Sequence, residues 1–140
     1  MQYFILLTSD SSKYANEILE QRLKNKVWEI YDKTNLRNQL EEKSKVIFYL
    51  AGSGPNAQHF VGEAIIDKII YANSSYSEEA NTMVHSTLHF DKITNYEEPV
   101  SIKKIMKKLT FITNPAKYGT ALNGGVRRIS EEDYKVILKG

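Results

Sequence analysis

His85 and His89 stand four residues apart, a spacing that on a helix would bring two imidazoles to one metal ion. The stretch that carries them, MVHSTLHFDKI, alternates instead. Val84, Leu88 and Phe90 fall on one face of a strand, and His85, Thr87, His89 and Asp91 on the other. In a strand the two rings lie about 13 Å apart, too far for one ion, and no metal site is expected. His59 is the third and last histidine, and the absence of cysteine excludes disulfide and thiolate chemistry. No Walker loop, dinucleotide fingerprint, G-x-S-x-G or H-E-x-x-H occurs. Glu29, Glu63 and Asp67 are the acids nearest the glycine loops, and Glu63, between Gly62 and Ala64, is expected to point outward. None forms an acid/base couple with an evident role, so no catalytic residue, no cofactor and no enzyme is expected.

The parts for holding a flat, charged ligand are better supplied. Trp28 is the only tryptophan, to be read either as a core anchor or as a stacking platform. Three glycine-bearing loops, AGSG (51–54), NPAKYG (114–119) and NGGVRR (123–128), allow backbone to approach such a ligand. Gly62 interrupts the apolar run HFVGEA, which marks a bulge or a close approach to the backbone. Charge is segregated as well. Of 19 bases and 17 acids, seven bases and no acid lie between Pro99 and Ser130, leaving 12 bases against 17 acids elsewhere, a net −5. Those seven, Lys103, Lys104, Lys107, Lys108, Lys117, Arg127 and Arg128, are candidate phosphate contacts, although a lysine-rich solvated helix face has the same composition.

The elements that must position these residues follow from periodicity. QYFILLT reads as a strand, and SSKYANEILEQRL as a helix carrying Tyr14, Ile18 and Leu19 on one side. TNLRNQLEE reads as a brief helix capped by Thr34 or Asn35. VIFYLAGSGPNAQHFVGEAII is a strand, a turn and a returning strand. SIKKIMKKL is a short amphipathic helix, with Ile102, Ile105, Met106 and Leu109 opposite four lysines. Residues 110–128 are loop-rich, and SEEDYKVIL is a serine-capped closing helix with Tyr134, Ile137 and Leu138 on its stripe. Neighbouring strands joined by a hairpin, interleaved with short helices, point to a small α+β barrel-like domain. No repeat or linker divides residues 1–140. No run approaches the roughly 20 apolar residues of a membrane span, and the first ten residues lack the marks of a signal peptide, so the expectation is a soluble cytoplasmic chain with no membrane partner. Nothing demands an oligomer, and a monomer is expected.

KVWEIYDKTNLRNQL, KVIFYLAGSGPNAQHFVGEAIID and VSIKKIMKKLTFITNPAKYGTALNGGVRRISEEDYKVIL, in this order and spacing, resemble the EVE domain of the PUA-like superfamily. The SG turn followed by F-x-G-x-A is also similar to the related YTH domain. The resemblance covers nearly the whole chain, departing at Glu29, where EVE domains often have Gly, and at Lys43-Ser44, where they often have Gly-Asp. It implies a pseudo-β-barrel of about five or six strands with short flanking helices. It also implies a pocket for a modified base, methylated cytosine or similar, flipped out of RNA or modified DNA. Carried over by residue, it makes Trp28 the pocket tryptophan and Tyr49, Leu50, Ala51, Gly52 and Ser53 the rim. It places Asn35 at a base-contacting asparagine, and Tyr118 and Gly119 fall on the opposite lip. The expected function is a non-catalytic nucleic-acid-binding module, the alternatives being an enzyme acting on a small molecule or nucleotide in the same pocket, or a protein-interaction module.

Overall fold

Aromatic and branched residues favour a pleated, buried surface, and YFILLT accordingly forms β1 (Tyr3–Thr8), with every residue but Tyr3 and Leu7 fully buried. The computed structural model describes residues 1–34, 36–72, 75–78 and 80–140. After β1 come α1 (Ala15–Asn25), β2 (Val27–Tyr31), β3 (Lys45–Leu50), β4 (His59–Tyr71), β5 (Tyr76–Ser77) and β6 (Thr82–Ser101). Then follow α2 (Ile102–Ile105), 3-10 turns at Met106–Lys108 and Pro115–Leu122, β7 (Val126–Ile129) and α3 (Glu131–Lys139).

The strands order as β2-β6-β4-β3-β1-β7, with β5 paired to β6 alone. Among the described strands only β1 and β3 run parallel. β6 pairs with β4 along most of its length while its first half also pairs with β2. Three register shifts between β4 and β6 bend the ladder into a curl. β2 and β7 remain edges, so the barrel is half closed, and α1 packs against both β1 and β2 across the gap. One apolar cluster fills the inside of the curl, with Phe4, Leu6, Phe48, Leu88 and Phe90 among its members. A second lies on the outer face, where Ile5, Ile47, Phe60 and Val100 meet Ile102, Ile105, Leu122 and Ile137. The α+β barrel-like domain expected from the sequence is present as a half-closed barrel, with six strands on the main path and a two-residue seventh among the described residues.

Gly62 answers to its neighbour strand. A Cβ there would lie 2.7 Å from the carbonyl oxygen of Thr94 on β6, so the glycine serves strand packing at a bulge. Four local expectations need correction. Among the described residues of 34–42 the chain makes only turns, because Leu36 sits at φ 56 and breaks any helical run. β6 extends to Ser101 through NYEEPV, which shows no alternation. The pair 127–128, read as loop, belongs to β7, which completes the sheet against β1. Leu138 is 49% exposed; α3 buries Asp133 and Ile137 instead, with Tyr134 and Val136 half-buried against the outer cluster.

Candidate functional site

The gap between β2 and the β1–β7 pair holds an open cleft of about 880 Å³. Leu7 of β1, Ile18 and Arg22 of α1, and Tyr31 at the end of β2 form part of its wall. Tyr49, Ala51 and Gln58 contribute from the β3–β4 side, and Lys117, Gly119, Leu122 and the Asn123–Gly125 loop close the other side. Asp10 anchors this arrangement. Its carboxylate accepts from Ala15 N (2.8 Å) at the start of α1 and from Ser53 N (3.0 Å) and Ser53 Oγ (3.3 Å). The amides of Ala15 and Ser53 hold that carboxyl below the usual range. Gly52 lies at φ +91, and a Cβ on it would come 2.3 Å from Asp10 Oδ1, so the AGSG loop reaches the helix terminus only with glycine there. Gln58, in left-handed conformation at φ 64, braces the same loop: it accepts from Tyr49 Oη (2.7 Å) and donates to Gly52 O (3.1 Å). Burial pushes the Tyr49 phenol well above its ordinary value, so it remains a donor.

Cations dominate the charge of the cleft. Among its described lining residues Asp10 is the one carboxylate, against Arg22, Lys33 and Lys117. Lys33 Nζ donates to Ala80 O (2.7 Å), tying the end of β2 to the β5–β6 turn at the rim. Arg22 Nη1 donates to Thr8 Oγ1 (3.2 Å).

The sequence-expected site residues divide. Tyr49, Ala51, Gly119 and Lys117 line this cleft. Gly52 and Ser53 hold its rim in place through Asp10. Leu50 is buried and borders a different groove between α1 and the β4–β6 ladder, and Tyr118 packs on the outer cluster. Trp28 is 5% exposed, stacked on Phe48 (5.7 Å, 10°) and edge-on to Phe90 (6.3 Å). Asn35 lies outside the described residues. Lys103, Lys104, Lys107 and Lys108 are exposed on α2 and its 3-10 turn, Arg127 lies over the Phe111 ring (5.4 Å), and Arg128 is exposed on edge strand β7. Sequence reasoning missed Asp10, Arg22, Tyr31, Lys33 and Asn123. Signals existed for two of them: Asp10 is an acid in a serine-rich run before a helix, where capping residues occur, and Asn123 opens the NGGVRR loop.

Glu63 points to the outer face but is covered there, not solvated. It is 8% exposed on the outer face, ion-paired to Lys45 Nζ (2.5 Å) and accepting from Tyr96 Oη (3.0 Å) and Tyr134 Oη (2.9 Å). Burial opposes its charge, but the bonds from Lys45, Tyr134 and Tyr96 outweigh that and hold the carboxyl below its ordinary range. Burial likewise opposes the Lys45 charge, and Glu63 overcomes it, raising the ammonium above its ordinary value. This network docks α3 onto the sheet. Among the described residues no group of three His, Cys, Asp or Glu side chains is placed to hold a metal ion, and no helix is long and apolar enough to cross a membrane.

Chains of known structure share this architecture. Atu2648 from Agrobacterium tumefaciens has a TM-score of 0.62 at 18% identity, over 99% of this chain and 92% of that one. ASCH from Zymomonas mobilis has a TM-score of 0.62 at 11% identity, over 98% and 94%. The YTH domain of the Zygosaccharomyces rouxii MRB1 protein, solved in complex with N6-methyladenosine RNA, has a TM-score of 0.56 at 12% identity, over 99% and 84%. At these identities the likeness is one of fold, a PUA-like pseudo-barrel. No curated protein matches the sequence. The family model described as the EVE domain matches residues 2–140, so that half-closed sheet, cleft and sequence pattern converge on one assignment: the chain belongs to the EVE domain family.

Proposed function

We propose that this chain is a nucleic-acid-binding module that takes one modified base, extruded from a strand, into the cleft between β2 and the β1–β7 pair. The observation that carries the reading is the composition of that cleft. Leu7, Ile18, Ala51 and Leu122 offer apolar wall, Ser9 and Asn123 offer groups that can test a base edge, and Arg22, Lys33 and Lys117 supply positive charge. A volume of about 880 Å³ falls within the range of small-ligand sites. Reading a base requires exchanging its stack for apolar and aromatic contact and its pairing for a few polar groups. A methyl group adds shape and apolar area alone, so the apolar wall must discriminate. YTH domains of the same fold, solved with N6-methyladenosine RNA, support the comparison.

Binding without turnover fits Asp10. Three hydrogen bonds already occupy this carboxylate and lower its basicity, which makes it a poor general base. Lys33 and Lys117 are the nearest phosphate contacts; Lys103, Lys104, Lys107, Lys108, Arg127 and Arg128 add unselective attraction from more distant surfaces. The test is a binding screen of short RNA and DNA strands that differ in one base, unmodified, N6-methyladenine or 5-methylcytosine, at several salt concentrations. The expected result is a preference for one modified base over its unmodified twin and a log–log salt slope of roughly 0.7 to 0.9 per phosphate contact. Salt-independent affinity, identical for every base, would overturn the reading.

A further inference from the structure

Trp28 carries an arginine over its ring. Its indole lies parallel to Phe48, and the Arg22 guanidinium carbon sits over the ring, 4.4 Å from the centroid. Arg22 borders the cleft and also the adjoining groove of about 520 Å³ between α1 and β2. A planar cation on a helical stem thus lies between open solvent and the indole. A planar heterocycle would occupy the same place if the guanidinium left it. Phe48 and Phe90 are buried core, whereas Arg22 is half-buried on the surface of α1 and held by Thr8 Oγ1 at 3.2 Å.

We infer that Arg22 is the displaceable cover of an indole slot and the residue that makes this site prefer a base within a strand over a free nucleoside. The inference rests on the proposed base-reading function. A base entering the slot must give up the arginine–indole contact, which lowers its apparent affinity by the fraction of molecules in the uncovered state. A strand recovers that loss, because the displaced guanidinium remains on α1 beside the cleft and meets a backbone phosphate bidentately. A neutral nucleoside carries no phosphate and bears the full cost.

The test uses Arg22→Ala and Arg22→Met, each checked for a native thermal melt, the second keeping an unbranched apolar stem. Acrylamide quenching of Trp28 emission is read on the free protein, since Trp28 is the only tryptophan. Affinities are read for N6-methyladenosine, for 5-methylcytidine and for single strands carrying each base. Quenching should rise in both variants. Nucleoside affinity should increase roughly 2- to 30-fold, the range of a cation–aromatic contact, while strand affinity stays level or falls and its salt slope drops by roughly 0.7. Unchanged quenching in natively melting variants, or nucleoside and strand affinities that both fall or both stand still, would overturn the cover. If the unsubstituted chain binds no strand, base reading fails. The cover is then judged on quenching and nucleoside affinity, where a gain in both sustains it and no gain removes it.

Discussion

Glu63→Gln should destabilise the fold by about 2 to 3 kcal/mol without touching the cleft. The substitution preserves shape and leaves Lys45 facing a neutral amide. Removing one partner of a buried pair costs about 3 to 5 kcal/mol, and an exposed pair is worth under about 1. The two side chains here retain 21% and 11% exposure, which places the pair between those limits and nearer the buried one. Tyr96 and Tyr134 also lose a charged acceptor. For a chain of this size the loss corresponds to a melting temperature roughly 6 to 12 °C lower. Acidity separates this cause from simple misfit. The folded Glu63 carboxyl titrates below its ordinary 4.5, so its contribution is complete above that value and fades as pH falls through the folded one. Lys45 titrates above its ordinary 10.5, so its contribution is complete below that value and fades as pH rises through the folded one. Urea unfolding of both chains across this span should show a difference that is flat near neutrality and shrinks at both extremes. A variant that melts like the parent, or a deficit independent of pH, would refute the reasoning.

Gly52→Ala should cost about 2 to 4 kcal/mol, from a positive φ and a Cβ driven into the Asp10 carboxylate that holds Ser53. Gly119→Ala, where an added Cβ meets nothing within 4 Å, should change stability by less than about 0.5 kcal/mol, and paired chemical denaturation reads both. Trp28→Ala should cost about 3 to 5 kcal/mol in the same measurement, as for any buried large aromatic; a loss under about 1 kcal/mol would mean that the indole is not part of the core.

The parts of this fold that were legible in the sequence are those whose determinants lie close together along the chain. ANEILEQRL shows its helical spacing within three turns, and SEEDYKVIL carries its own serine cap, realised as Ser130 Oγ accepting from Asp133 N at 3.1 Å. The β3–β4 hairpin was plain from two apolar runs around AGSG. What could not be read depends on partners far away in sequence. Glu63 looks like an outward acid beside a glycine until Lys45, Tyr96 and Tyr134 are brought around it. VRRI becomes a strand only because β1 offers an edge. The cleft was half legible. Ala51, Gly119 and Lys117 were found through their loops, while Arg22 and Tyr31 face it only because the sheet stops short of closing between β2 and β7. An arginine on a helix surface gives no local hint that it will lie over an indole.

β1 lies between β3, its parallel partner, and β7, with Tyr3 opposite both Lys45 and Ile129. As a ribosome extends this chain, β1 emerges before β7 and waits for all the intervening strands before its second edge is paired. Until VRRI follows, that edge presents unsatisfied amides and carbonyls beside an apolar inner face, a template for another nascent strand. Leu7 N, whose acceptor is Gly125 O, waits equally long. Any mutation or stall that delays β7 therefore leaves the edge of β1 exposed, and folding of the sheet waits on the strand that follows the Asn123–Gly125 wall of the cleft.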